Sequence, residues 1–160
     1  MSGKSRNGER LIELDVTHPL WDRFFWIAPL VLVGTLEADG AFDLAPKHMA
    51  MPMGWQNYFG FVCAPRHATY ANARREGGFA VSWPTPEQLV QTSLAAAPRH
   101  EGTKPGLAAF PLEAAASVPG VVVPGASLQL ECELEQIVDG FGDNSLIVGK
   151  AVAARGRDCL

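Results

Sequence analysis

Apolar and polar residues alternate over residues 127–135 of the segment 127–137, SLQLECELEQI, and this pattern constrains the fold more than any other feature of the sequence. Successive side chains of a β-strand point to opposite faces of the sheet, so the alternation predicts a strand with one apolar face. The apolar side carries Leu128, Leu130, Cys132 and Leu134. The other side carries Gln129, Glu131, Glu133 and Glu135. We expect the acidic side to be solvated, as in an antiparallel sheet with one face on the core.

Five other segments have the composition of strands and are bounded by turn or breaker residues. They cover residues 30–38, 41–51, 56–64, 79–83 and 145–154. Asp39-Gly40 and the stretch 139–144 are predicted to turn the chain, because Gly and Asp favour the backbone angles that hairpins need. Pro46 and Pro52 are expected at irregular edges or bulges, because proline cannot donate a hydrogen bond to a sheet.

Short helices are predicted over residues 17–26, about 69–76 and 85–97. The pair Gly77-Gly78 ends the second helix, and Thr85-Pro86 begins the third. Residues 98–125, rich in Pro, Gly and Ala, are expected to run over the surface with one short helical turn. These elements predict a mainly β fold with peripheral helices. We expect an antiparallel barrel of Greek-key type in one domain, residues 1–160, with residues 1–16 as a peripheral arm.

Charge and cysteine content limit the partners and the compartment. The formal net charge of −4 does not favour a nucleic acid or an anionic membrane as a partner. The three cysteines are scattered without a CxxC pair and the four histidines lack ligand-like spacing, so neither a disulfide framework nor a metal site is expected. The polar N-terminus lacks the apolar core of a signal peptide, and the longest apolar run, 24–34, is too short to span a bilayer. We therefore expect a cytoplasmic protein.

The stretch APRHATYANARREGGFAVSW, residues 64–83, places potential anion-binding groups at the start of a helix. The first backbone N–H groups of a helix are unpaired and attract anions. Arg66, His67 and Thr69 add side-chain donors at the same place, which is typical of a phosphate site. The alternative is that Thr69 only caps the helix while Arg66 and His67 are solvated. Cys63 and His67 need not meet across the intervening proline, so a catalytic Cys/His pair is not favoured.

A second stretch, DLAPKHMAMP over residues 43–52, combines a broken strand with adaptable side chains. Pro46 exposes backbone groups, Lys47 and His48 follow at once, and the neighbouring methionines suit contact with a flat aromatic ligand. The alternative is an edge strand with a proline bulge and ordinary core methionines. No G-x-G-x-x-G follows a strand and no Walker A sequence is present, so the chain does not look like a Rossmann or P-loop domain.

Taken in order, these motifs carry a family resemblance. The sequence reads DLAPKH at 43–48, RHATYAN at 66–72 and GFAV at 78–81. It continues with KPGL and a Leu-Glu-Cys strand within 104–135, and with GDNSLIVGKAV at 142–152. In this order the chain resembles the flavin reductase-like group of FMN-binding split barrels, which includes flavoredoxin-type proteins. The resemblance extends from about residue 20 to 155.

The resemblance implies a flavin site. Arg66, His67 and Thr69 would hold the FMN phosphate, and the segment 43–48 would lie along the isoalloxazine and the ribityl chain, largely through backbone groups. The full set of implied cofactor-binding residues is Asp43, Leu44, Ala45, Pro46, Lys47, His48, Arg66, His67, Thr69 and Asn72. His48 stands where the family often has Ser, and His67 replaces a common Lys. Asp143 or Asn144 occupies the region of a usual His.

The implied activity is that of an oxidoreductase with FMN as cofactor and NADH or NADPH as electron donor, acting as a homodimer. Electrons would pass through FMN to a flavin or another acceptor. The cofactor carries the redox chemistry, so no catalytic acid or base is named. Lys47 is the candidate for a cation near the electron-rich edge of the ring. Two alternatives stay open: an FMN-binding electron carrier without NAD(P)H activity, and a barrel that has lost its cofactor.

Overall fold

The structure is a computed structural model that describes residues 15, 17, 28–99 and 104–158. Almost all of the helix predicted over 17–26 lies outside these residues, as do His18, His100 and Cys159. No helix in the described part of the chain is long and apolar enough to cross a membrane.

Strands account for most of the regular structure. They are β1 (Val31–Leu36), β2 (Phe42–Lys47), β3 (Ala50–Pro52), β4 (Tyr58–Cys63), β5 (Gly78–Trp83), β6 (Glu113–Ala114), β7 (Val121–Val122), β8 (Leu128–Phe141) and β9 (Asn144–Gly156). The helices are α1 (Ala68–Glu76) and α2 (Leu89–Leu94), with 3₁₀ turns at Pro86–Gln88 and Pro105–Ala109. Seven strands form one antiparallel sheet in the order β2-β1-β5-β8-β9-β4-β3, and β6 pairs with β7 in a second, small sheet.

The order of the strands requires the large sheet to curl. Its two edges are β2 and β3, and only His48 and Met49 separate these strands in the chain. An extended chain covers at most about 3.6 Å per residue, so the two edges lie within roughly 11 Å of each other where they join. The backbone N–H of Val62 on β4 donates to the Met49 carbonyl at 2.8 Å, which ties this link to the far edge. The structure confirms the predicted mainly β, antiparallel split barrel. We call the place where the edges meet, residues 47–50, the seam.

The core lies on both faces of the central strands. Phe61 and Phe79 meet edge to face inside the barrel, with ring centroids 5.1 Å apart. Leu32 points to the other face and packs in a second cluster with residues of the connection after α2. This explains why β1 reads as an uninterrupted apolar run rather than an alternating one.

The connection over 98–125 differs from the expectation of a surface segment. Within its described part, Phe110, Val121 and Val123 are buried in the second cluster, and β6 pairs with β7. A Cβ atom added at Gly34 would lie 1.9 Å from the Val121 carbonyl oxygen, which shows how closely this segment lies on β1. The predicted helical turn is present at Pro105–Ala109.

The acidic face of β8 is exposed at Glu133 and Glu135, as expected, but not at Glu131. Glu131 is buried rather than solvated, because the Ser117 backbone N–H donates to its carboxylate and Arg155 pairs with it at 3.4 Å. The pairing register shifts between Glu131 and Cys132, where β9 has one extra residue, and again between Leu134 and Gln136, where β8 has one. The turn predicted at 139–144 is shorter than expected, because the strands continue to Phe141 and resume at Asn144.

The helix predicted over 85–97 begins where expected and ends early. Gln88 accepts a hydrogen bond from the Thr85 backbone N–H at 3.0 Å, as a capping residue does. The first turn is a 3₁₀ turn, and α2 then ends at Leu94. α1 agrees with its predicted limits, and Gly77 ends it in the left-handed conformation with φ of 70°.

Candidate functional site

A cleft of about 700 Å³ lies where the end of β2, the turn before α1 and residues 95–99 approach one another. Six of the ten residues predicted for a cofactor line it: Asp43, Ala45, Pro46, Lys47, Arg66 and His67. Its volume is within the range of about 300–1,000 Å³ that is usual for small-molecule sites. The fold therefore brings together the two stretches that the sequence singled out.

The start of α1 faces this cleft. His67 precedes the helix in an extended conformation, and its carbonyl accepts the N–H groups of Tyr70 and Ala71 at 3.1 and 3.4 Å. The N–H groups of the first helical residues have no carbonyl one turn before them, and they carry the positive end of the helix dipole. Ala68, the first of these residues, lines the cleft. Backbone donors are thus available beside Arg66 and His67.

Positive charge dominates the walls of the cleft. Among the lining residues that the structure describes are the cations Lys47, Arg66, Arg99 and Lys104, and a single carboxylate, Asp43. The pKa of His67 is lowered from its ordinary value by burial and then by the charges of Lys47, Arg66 and Lys104. The same positive charges that disfavour the protonation of His67 favour the binding of an anionic ligand.

Asp43 is the buried centre of a cluster of donors on one wall of the cleft. Its side chain is only 3 % exposed, and its Oδ1 atom accepts from Arg99 at 3.0 Å and from Lys104 at 3.4 Å. Its Oδ2 atom accepts from the Thr69 hydroxyl at 3.3 Å. Burial lowers the pKa of Lys104, and the nearby Asp43 carboxylate opposes that shift. Arg99 also pairs with Glu37.

Four residues predicted for the cofactor lie elsewhere. Thr69 is buried, and its hydroxyl donates to the Asp43 carboxylate. Leu44 is buried in the second cluster. Asn72 is buried, and its Nδ2 atom donates to Thr35 Oγ1 at 3.1 Å, so that it fixes α1 to β1. His48 is exposed and lines a neighbouring hollow beside Leu30. Contact of these four residues with a cofactor stays a prediction.

Sequence reasoning missed two charged residues of the cleft. Lys104 belongs to the KPGL stretch that supported the resemblance, but no role in the site was assigned to it. Arg99 lies in a Pro- and Ala-rich segment with no pattern that indicates a site. A search for cations near family motifs finds Lys104. No local signal finds Arg99, because its position depends on how the connection folds back over β2.

A thiol lies at the base of the cleft. The Nζ atom of Lys47 donates to the Sγ atom of Cys63 at 3.3 Å, and the His67 Nδ1 atom is 4.0 Å from the same sulfur. Cys63 and His67 do meet, although the sequence did not require it. Cys63 is buried, and its sulfur holds the Lys47 ammonium in place at the cleft.

A second hollow, of about 500 Å³, lies away from the cleft and has mostly apolar walls, including Tyr58, Phe59, Trp83 and Leu130. Trp55, on the turn between β3 and β4, is 97 % exposed at its margin. Large apolar side chains in contact with water commonly mark a surface that another molecule covers.

Comparison with known structures supports the architecture. The nitrilotriacetate monooxygenase component B from Bacillus cereus has 18% sequence identity and a TM-score of 0.82, with 96% of this chain and 85% of that chain covered. The 2-nitrobenzoate 2-nitroreductase from Pseudomonas fluorescens has 18% identity and a TM-score of 0.80, over 93% of this chain and 78% of that chain. The flavoredoxin of Desulfovibrio vulgaris (Miyazaki F) has 16% identity and a TM-score of 0.76, over 92% and 78%. At these identities the likeness is one of fold.

Comparison with curated proteins finds no match. The model of the flavin reductase like domain family, in contrast, matches residues 26–160, which includes every strand of the barrel and all residues of the cleft. A match of this extent agrees with the motifs, the antiparallel split barrel and the cationic cleft. The chain therefore belongs to the flavin reductase like domain family.

Proposed function

We propose that this protein is an FMN-binding oxidoreductase that takes electrons from NADH or NADPH and passes them to a flavin or another acceptor. The observation that carries the proposal is the cationic cleft at the N-terminus of α1, in a chain of the flavin reductase like domain family. Family membership supports flavin-related redox chemistry, and the cleft supplies the donor types that a phosphate ester needs.

The residues of the cleft fit one phosphate group. Arg66 presents a planar guanidinium that can donate two parallel hydrogen bonds, and His67 and the first N–H groups of α1 add donors beside it. The Thr69 hydroxyl, which the sequence assigned to the phosphate, donates to Asp43 instead. Arg66, His67 and the backbone of α1 are therefore the principal phosphate donors in this proposal.

In this proposal Lys47 acts on the ring system. Its ammonium is held by Cys63 where β2 enters the cleft, and Ala45 and Pro46 form the adjacent part of the wall. A bound FMN would supply the redox chemistry, from hydride acceptance to electron release. The protein binds and orients the flavin, and Lys47 provides positive charge that stabilises negative charge on a reduced ring. No side chain is assigned as a proton donor.

We also propose that two copies associate. The exposed Trp55 and the half-exposed Val152 both line the apolar hollow and suit a surface that a second copy covers. The partners of the protein are then small molecules, flavin and nicotinamide, together with its own second copy.

The test begins with the visible absorption spectrum of the purified protein before and after it is loaded with FMN and desalted. Retained flavin bands are expected, followed by oxidation of NADH or NADPH by the loaded protein; light scattering on the same sample gives the mass of the assembly. Retained flavin without any oxidation of either nicotinamide would assign the electron-carrier alternative. Failure to bind FMN in a fluorescence titration up to high concentration would refute a flavin function altogether.

A further inference from the structure

The carboxylate of Asp43 occupies donors that an anionic ligand would otherwise use. Both of its oxygens are engaged, one by Arg99 at 3.0 Å and Lys104 at 3.4 Å, the other by Thr69 at 3.3 Å. A guanidinium, an ammonium and a hydroxyl are the side-chain groups that bind phosphate in other proteins. The Asp43 carboxylate, which is only 3 % exposed, therefore occupies the position among these three donors that an anionic ligand would take.

The cations of the cleft fall into two sets. Arg99 and Lys104 are paired with Asp43, whereas Lys47 and Arg66 form no ion pair with any carboxylate in the described part of the chain. Of the unpaired set, Lys47 lies at the end of β2, and Arg66 lies at the start of α1 beside the first backbone N–H groups of the helix. One phosphate group can be bound there without breaking an existing ion pair. A second phosphate group would need the other set.

We propose that Asp43 is a specificity-determining residue that restricts the cleft to ligands with one phosphate group, so that FMN is bound in preference to the diphosphate-bridged FAD. This inference rests on the proposed flavin function. A second phosphate near Arg99 and Lys104 meets a buried like charge, and it finds both cations already engaged. Juxtaposed like charges at a buried contact are strongly unfavourable, which is why one carboxylate is sufficient to discriminate.

The experiment compares the affinities for FMN and FAD by quenching of flavin fluorescence, in the wild type and in the Asp43→Asn variant. The amide keeps the shape of the side chain and removes its charge. The wild type is expected to bind FMN more tightly than FAD, and the variant is expected to reduce this preference about tenfold, a modest share of what a buried like-charge contact costs. Asp143→Asn removes the same charge from the exposed turn between β8 and β9 and should leave the preference unchanged.

Two further measurements test whether the improved FAD binding of Asp43→Asn comes from the cations that the substitution releases or from a change in the space of the cleft. Adding Lys104→Met to Asp43→Asn should cancel the gain in FAD binding, because the gain depends on the freed ammonium. Without any flavin, inorganic pyrophosphate should raise the melting temperature of Asp43→Asn more than inorganic phosphate does, whereas the wild type should show no such difference.

Each result has a definite reading. A wild type that binds FAD as tightly as FMN, or an Asp43→Asn variant with an unchanged preference, overturns the inference while the flavin function stands. A wild type that binds neither flavin refutes the proposed function, and the phosphate and pyrophosphate comparison then decides the role of Asp43 separately. If circular dichroism shows that Asp43→Asn does not fold, the wild-type comparison of FMN with FAD and of phosphate with pyrophosphate decides the matter.

Discussion

The Nζ atom of Lys47 lies 3.3 Å from the Sγ atom of Cys63, and this contact joins the edge strand β2 to β4, the neighbour of the other edge strand. Lys47 ends β2, which is one edge of the sheet, and Cys63 ends β4, which pairs with the edge strand β3. The contact therefore crosses the seam. Lys47 also lines the cleft, so that the same side chain contacts β4 and contributes charge to the site.

Replacing Lys47 should change the redox potential of bound flavin. In Lys47→Met the stem is kept and the charge is lost, so negative charge on reduced FMN is less stabilised and the midpoint potential should fall by about 30 mV, equal to about 1.4 kcal/mol for two electrons. Equilibration with a reference dye measures it. Lys150→Met removes a cation that lies over the Tyr58 ring, away from the cleft, and serves as the matched control. An unchanged potential in Lys47→Met would remove the role assigned to this residue.

Replacing Arg66 should weaken FMN binding without unfolding the protein. The side chain is exposed and forms no ion pair within the described part of the chain. Loss of a charged hydrogen bond worth about 1.5–3 kcal/mol should raise the Kd of Arg66→Ala for FMN about tenfold to a hundredfold. Isothermal titration gives the Kd, and thermal melting should show no change without ligand. Arg157→Ala, outside the cleft, is the control; an equal loss of affinity there would point to net charge instead.

The protonation of His67 should depend on the ligand. Burial and the charges of Lys47, Arg66 and Lys104 lower the pKa of this residue below 6.5 in the free protein. The unfolded chain then takes up a proton first, so the contribution of His67 to stability is present above pH 6.5 and is lost as the pH falls through the lower folded pKa. A bound phosphate offsets the positive field and should raise the pKa. Titration by NMR, with His67→Gln for assignment, checks both statements; a pKa at or above 6.5 without ligand contradicts them.

Gly34 should tolerate no side chain. A Cβ atom there would lie 1.9 Å from the Val121 carbonyl oxygen, so Gly34→Ala must push β7 away from β1. We expect the free energy of unfolding to fall by about 3 kcal/mol, at the upper end of what overpacking usually costs. Gly40→Ala is the matched control, because nothing lies within 4 Å and only its φ of +85° opposes the change. Its cost should be about 1 kcal/mol. Urea unfolding measures both, and equal losses would show that the contact with Val121 is not the cause.

The sequence predicted the parts of the fold whose signal is local. Alternation identified β8, glycine identified the end of α1, and Thr85-Pro86 identified the turn before α2. The burial of Glu131 was not predictable in this way, because it depends on a backbone N–H fourteen residues away in a separate loop. Local periodicity carries no information about which loop later covers a strand.

The candidate site shows the same division. Lys47, Arg66 and His67 come from two motifs, and the family resemblance that these motifs carry implied that they meet in one site. Arg99 and Lys104 reach the cleft only because the connection after α2 packs its apolar residues against the outer face of the sheet. The sequence did not predict that the Thr69 hydroxyl donates to Asp43, since a pattern of residues does not show that Asp43 lies beside it; its contact with a phosphate stays a prediction.

The link of His48 and Met49 between the two edges has a thermodynamic consequence. Lys47 lies on β2, on one side of the seam, and the start of α1 follows β4, on the other side. A ligand that binds both of them bridges the seam, so the barrel can open there only after the ligand leaves. Ligand occupancy and local opening then form one linked equilibrium. The amide hydrogen of Val62, which is hydrogen-bonded to the Met49 carbonyl, reports on this equilibrium. Its rate of exchange with solvent should decrease as the fraction of clefts that contain ligand increases.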